Sequence, residues 1–431
     1  MESQLIIENT EPGHPLGILE RCLVDAFNCG ATDLHFESTG EQVMVRIRTG
    51  GFLKPHPDLP AGEFNKFIDA MLRTCGSNWH DRSRPLRVTF NARELLPLDV
   101  DLGCCLFLDA AGRLNLVIRI LTLNPPIPLD KLSLSSSVLE ALAKPVYGLL
   151  LCSGATGSGR STLLASVLGH WIDQESKILK INDETDFNWQ GTCSYRNVSN
   201  LNYSTESGIS FEQLMKVIPH MDPDVVEIGH IKGPNKIPFA VDAALAGYLV
   251  LAELYANSAA EAVLRFLEYG KDVYERMLVD ALQVVSCQRL LKRLCSCKER
   301  VALADDQIER LVQTYCKGTP ASVRPTDRVQ LEHTLSRWTA SYGGADGRLF
   351  HYMAKGCEHC GGTGYRGRIA AVEVVVVTPR LRALLLARPT ENMIANATID
   401  MDASTMTRDA IAKIFEGLTD CAQLAEVFGA D

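Results

Sequence analysis

The stretch GLLLCSGATGSGRST, residues 148–162, decides the fold. Its first half is an unbroken apolar run, as in a strand buried on both faces, and the LLASVLGHW that follows it reads as a helix. Between them, residues 154–161 match G-x-x-x-x-G-K-[ST] at every position except 160, where arginine replaces lysine. A phosphate site needs several backbone N–H groups converging on oxygen atoms, and glycine permits both the close approach and positive φ. Gly154, Gly157 and Gly159 supply that freedom, and the helix N-terminus adds its dipole. The strand before and the helix after favour a phosphate loop over an ordinary glycine-rich turn. Gly154, Ala155, Thr156, Gly157, Ser158, Gly159, Arg160, Ser161 and Thr162 are therefore expected to cradle the phosphates of a nucleotide, with Ser161 facing Mg²⁺. Arg160 keeps the charge of the expected lysine but carries it on a wide planar fork rather than a compact ammonium.

Outward from this stretch, apolar strands alternate with helical patterns. A helix, SSVLEALAKP, precedes the loop strand, and KILKIN, DVVEIGH and YLVLAEL follow as further strands. Such alternation predicts a parallel sheet covered on both faces, an α/β domain over 132–293. Residues 1–121 mix a helix with alternating strands such as QVMVRIR and LNLVIRIL, which predicts a small α+β domain. The proline-rich TLNPPIPLDK makes 122–131 a linker. Residues 294–368 form a polar, cysteine-bearing subdomain, and 369–431 are expected to be helical.

A 431-residue chain with 46% apolar and 22% charged residues is globular, and a net charge of −9 gives no reason to expect nucleic acid. The opening MESQLIIENTEPGHP lacks the features of a signal peptide, and no apolar run reaches the roughly 18 residues of a spanning helix. The expectation is a soluble cytoplasmic protein whose 14 cysteines are mostly reduced thiols in apolar runs. One set has metal-like spacing: Cys295 and Cys297, then Cys357 and Cys360. Structural Zn²⁺ and four reduced thiols both remain open readings, and Cys316 or His359 could replace one ligand of the tight C-x-C pair.

Further stretches resemble the GspE/PilB/PilT family of hexameric ATPases of type II secretion and type IV pili. ATDLHFE with VRIRTGGFL resembles A-S-D-I-H-I-E and V-R-x-R-I-D-G-x-L. DPDVVEIGHIKG resembles D-P-D-V-I-x-V-G-E-I-R-D, and GYLVLAELYANSAAEAVLRFLEYG resembles G-H-L-V-x-S-T-L-H-T-N-x-A with its helix. CQRLLKRLCSCK and GCEHCGGTGYRGR resemble the family's two cysteine stretches. The likeness runs in family order from Ala31 to Thr378. It implies a RecA-like P-loop fold for the α/β domain, a PAS-like one for the N-terminal α+β domain, and a motor subunit peripheral to the inner membrane, acting on a platform protein. It also implies a homo-hexamer with ATP bound between subunits, and Arg46, Arg48 and Arg119 reaching a neighbour's nucleotide.

The departures fall on the chemistry. Asn182 stands where the family has a glutamate that positions water, while Asp183 and Asp186 remain. His230 replaces a second glutamate, Tyr248 and Tyr255 replace two histidines, and Gly103 replaces an arginine. Asn182 can orient water but cannot take its proton, and a cationic His230 would repel Mg²⁺. On strand parity Glu253, two before Tyr255, is the candidate substitute, whereas Glu227, three before His230, is expected on the opposite face; the alternative for both is a strand end with solvent access. The alternative is a subunit that no longer hydrolyses ATP and assembles with an active paralogous ATPase. Asp33, His35 and Glu37 share one strand face, and His35 is expected to be no metal ligand.

Overall fold

The structure is a computed structural model. It describes residues 17–49, 52–76, 79–80, 82–83, 85–94, 100–121, 126–172, 174–182, 197–202, 210–316, 328–399 and 405–429. The described residues up to 121 form one unit and those from 126 form a second.

The first unit contains β1 (Ala31–Ser38), β2 (Gln42–Thr49), β3 (Phe52–Pro60), β4 (Leu86–Asn91), β5 (Asp101–Leu108) and β6 (Leu114–Leu121). They make an antiparallel sheet in the order β3-β2-β1-β6-β5-β4. Helices α1 (Gly17–Asn28) and α2 (Ala61–Thr74) pack on it. Alternation along β1 sends Leu34 and Phe36 into the core, where Phe36 stacks on Phe64 of α2. His35 and Glu37 point the other way, as the alternation predicts.

The second unit is built on a seven-stranded sheet. Its strands are β7 (Gly148–Gly154), β8 (Ile178–Asn182), β9 (Val198–Asn202), β10 (Val225–His230), β11 (Leu249–Leu254), β12 (Leu282–Leu294) and, after the separate antiparallel pair of β13 (Glu299–Ala302) and β14 (Phe350–Met353), β15 (Tyr365–Val376). The order is β15-β12-β7-β11-β10-β8-β9, parallel throughout except for β15. Every residue of β7 is buried, which is what a central parallel strand needs. Before it, α3 (Ser136–Ala143) is capped by the Ser135 hydroxyl, which accepts from the Val138 N–H. After it, α4 (Arg160–Ile172) packs on β7 and β11. The ANSAAEAVLRFL stretch becomes the helix Ala259–Tyr269, with Ser258 as its cap and Glu261 in its first turn.

Residues 369–376 are not helical. The β-branched run of β15 pairs antiparallel with β12 from Val284↔Val376 to Leu294↔Tyr365, and helices begin only at Pro379. Further along, a buried Lys413–Asp409 pair ties the helix Met406–Phe415 to β15, Lys413 also donating to the Ala370 carbonyl at 2.7 Å.

Strand parity fails on β10, and the expectation for Glu227 is corrected. Glu227 is in register with Leu251, but His230 is in register with Glu253, so three residues of β10 span two of β11. Gly229, at φ +63°, occupies the bulge in a left-handed conformation that a side chain would resist. The extra residue returns His230 to the face that Glu227 occupies. Nor is Glu227 at a solvent-accessible end: it is 4% exposed and lies 3.3 Å from Lys180 of β8, itself 5% exposed. Removing one partner of such a pair leaves a buried charge without its counter-charge. Glu227→Ala should therefore lose about 3–5 kcal/mol of stability in urea unfolding, whereas Lys180→Met with Glu227→Leu should stay within about 1 kcal/mol of the parent or exceed it.

Candidate functional site: the phosphate loop and its neighbours

The loop leaves the C-terminal end of β7 and turns into α4. Gly154, Gly157 and Gly159 all have positive φ, at 148°, 75° and 88°. At Gly154 the constraint is also spatial, since a Cβ would lie 2.3 Å from the Ser158 hydroxyl and 2.7 Å from the Gln288 carbonyl oxygen. Ser158 N–H donates to the Ala155 carbonyl at 3.2 Å, closing the turn, and Gln288 Nε2 of β12 donates to the Ser158 carbonyl at 2.9 Å. Gln288 is a positioning residue that the loop motif alone does not show; its signal was its place in the CQRLL stretch. Ala155, Thr156 and Gly157 are exposed at the mouth, while Ser161 and Thr162 sit half-buried in the first turn of α4.

Arg160 does not reach into that mouth. It is 8% exposed, and its Nη1 donates to the carbonyls of Gly154 at 2.9 Å and Leu254 at 3.3 Å. Its Nε lies 3.6 Å from Glu253 Oε2, and its guanidinium carbon sits 3.9 Å from the Tyr255 ring centroid. His230 meets the same ring edge-on, at 4.0 Å between centroids. Glu253 is thus an ion-pair partner of Arg160. Below these groups, burial pushes the Cys152 thiol up to about 12, and Glu253 and Glu227 add to the rise. Asn182 ends β8 at the same end of the sheet, in register with Asn202. Its side chain, and Asp183 and Asp186 entirely, lie outside the described residues.

The four cysteines converge because β12 and β15 are antiparallel. The chain leaving β12 at Leu294 and the chain entering β15 at Tyr365 emerge together, and Cys295 N–H donates to the Gly364 carbonyl at 2.9 Å. Cys295 and Cys357 Sγ lie 3.9 Å apart, Cys297 and Cys360 3.9 Å, and Cys357 and Cys360 3.7 Å. A tetrahedral ion with Zn–S bonds near 2.3 Å sets its sulfurs about 3.8 Å apart. The tight C-x-C pair therefore needs no substitute ligand. Cys316 is instead in the hydrophobic core, and His359 stands against Arg366. Desolvation opposes ionisation of Cys360, but N–H groups of Cys357 and Gly364 donate to its sulfur and bring it down to about 6. Desolvation and the neighbouring thiols push Cys297 up to about 11. A backbone hydrogen bond from Cys297 holds the Cys295 thiol down too, and a divalent cation is what would let all four ionise.

In the first unit, Arg46, Arg48 and Arg119 share a sheet face with acids. Arg46 pairs with Glu37, while Arg119 lies 3.1 Å and Arg48 3.9 Å from Asp33. Each arginine stays a third or more exposed, which leaves its guanidinium accessible. Burial, with Arg48, holds the His35 ring below its ordinary range, so it is neutral near pH 7.

A family model described as Type II/IV secretion system protein matches residues 10–427. The chain belongs to that family. It is 29% identical over 406 residues to the type IV pilus assembly ATPase PilB of Thermus thermophilus, covering 93% of this chain and 41% of that one. It is 25% identical to PilB of Pseudomonas aeruginosa, covering 95% and 66%. It is 26% identical to the putative type II secretion system protein E of Escherichia coli K12, covering 96% and 76%. The chain thus spans less than two thirds of the length of the two pilus relatives. In fold it is similar to the Legionella pneumophila ATPase DotB, with a TM-score of 0.65 at 17% identity over 98% of each chain. It is also similar to the pilus retraction motor PilT, with a TM-score of 0.62 at 19% identity over 95% and 96%. Both likenesses support the RecA-like P-loop architecture.

Arg160, His230 and Tyr255 meet in one cluster, the Tyr255 ring touching the other two and Glu253 lying against Arg160. Among the described residues no helix is long and apolar enough to cross a membrane.

The cysteine geometry makes a direct prediction. Protein purified without chelator should carry about one Zn²⁺ per chain by elemental analysis, and Cys297→Ser with Cys360→Ser should lose most of it. Stripping the metal should lower the melting temperature of the parent and leave that of the double variant nearly unchanged.

Proposed function

We propose that the chain is an ATP-binding motor subunit of a type IV pilus, type II secretion or related conjugative apparatus, working as a homo-hexamer on an inner-membrane platform protein. The observation that carries this reading is the phosphate loop: a glycine-rich turn of the required backbone form, braced by Gln288, in a chain matched to the secretion family from residue 10 to 427. Backbone N–H groups of Gly154–Thr162 would hold the phosphates and the Ser161 hydroxyl would face Mg²⁺. ATP would supply the binding energy that rotates one domain against another. Arg46, Arg48 and Arg119 are the cations on offer to a neighbour's nucleotide, and their partial exposure leaves them able to exchange Asp33 or Glu37 for phosphate. The cytoplasmic face of the inner membrane is the location this role requires.

A second reading, a subunit that binds nucleotide but has stopped hydrolysing it, is favoured by the anchoring of Arg160. The loop cation is already bound to two carbonyls and a carboxylate, and neither residue 182 nor residue 230 is an acid. Removing a catalytic acid or base commonly costs about 10²–10⁴ in rate. The test is nucleotide binding beside phosphate release, for the parent and for Arg160→Lys with Asn182→Glu and His230→Glu. The parent should bind Mg-ATP with a Kd in about the micromolar range, and the triple variant should release phosphate at least about tenfold faster. Parent turnover as fast as the triple variant's would exclude the second reading, and absence of binding would exclude both.

A further inference from the structure

We propose that Glu253 is a specificity-determining residue of the nucleotide site. Its carboxylate competes with the terminal phosphate for Arg160 and biases the site toward nucleotides that carry less phosphate charge. This rests on the phosphate-loop reading above.

Arg160 is the only Lys or Arg between Gly154 and Thr162, so it is the loop's own counter-charge for a polyphosphate. Glu253 lies 3.6 Å from it, and the two side chains are 13% and 9% exposed, so water and salt screen the pair little. The backbone that carries the carboxylate is pinned on both sides. Glu253 is on central strand β11, in register with Cys152 of β7 and His230 of β10, and its carbonyl accepts from the Ile231 N–H at 2.8 Å. The guanidinium is held from its other sides by the Gly154 and Leu254 carbonyls and the Tyr255 ring. A phosphate that recruits Arg160 therefore takes it from Glu253 and leaves a carboxylate beside the incoming negative charge. That repulsion grows with each phosphate charge, so it weighs more on a nucleoside triphosphate than on a diphosphate.

The experiment is calorimetric titration of the full chain with Mg-ADP and with the non-hydrolysable Mg-AMP-PNP, for the parent, Glu253→Gln and Glu253→Thr. Threonine is the second variant because its β-branched side chain suits a strand should glutamine unfold the protein. Each neutral variant should tighten AMP-PNP about tenfold or more and ADP less than about threefold, the differential expected when a like charge is removed. The Arg160 Nε–H signal in ¹⁵N-edited spectra should shift on AMP-PNP binding in the parent, and the nucleotide-free variants should already differ from the nucleotide-free parent. Unchanged affinities for both nucleotides, or equal tightening of both, would overturn the proposal while leaving the phosphate loop standing. Failure of the parent and both variants to bind either nucleotide would instead overturn the phosphate-loop reading, and this proposal with it.

Discussion

The structure depends on strand β7 being hydrogen-bonded on both sides and buried on both faces. A backbone with no access to water must find partners for every N–H and C=O, and β11 and β12 supply them along its length. That pairing fixes where β7 ends, and its end is where the phosphate loop begins. Because β12 is longer than β7, it continues past the loop, places Gln288 under Ser158, and carries the chain on to Cys295. The loop and the cysteine cluster are thus held by one strand, through different residues.

Charge buried in this sheet and in the helices against it is handled by pairing. Lys180 with Glu227, Arg160 with Glu253 and Lys413 with Asp409 each place a cation against a carboxylate with little solvent around them. Such pairs contribute little net stability, because desolvation offsets much of the attraction, but breaking one is costly. At the phosphate loop this has a chemical meaning. A lysine ammonium is a compact point charge, whereas the guanidinium fork of Arg160 makes two carbonyl contacts and lies over a tyrosine ring. Glu253 and Tyr255 are the side chains that meet the guanidinium, so the three form one physical unit.

Much of this was legible from residue order. The apolar run at 148–152, the glycine spacing and the following helix give strand, loop and helix through local chemistry, and the alternation of elements gives the parallel sheet. The polar and apolar faces of β1 likewise follow from period-two alternation. Reading Glu227 by parity failed because one residue of bulge at Gly229 reverses the face of everything after it. Helix was expected after residue 368, but Ile369–Val376 is a strand: its β-branched run favours one and β12 offers it an edge to pair with.

The sequence by itself determined the class of fold, the phosphate loop and the cysteine set, since each is written in the spacing of neighbouring residues. Only the tertiary structure decided that Arg160 faces Glu253, that the C-x-C pair reaches tetrahedral spacing with Cys357 and Cys360, and that Arg46, Arg48 and Arg119 lie against acids. The reason is physical: these are contacts between residues far apart in the chain, set by strand register and burial, and register depends on bulges and partners that no short stretch of sequence contains.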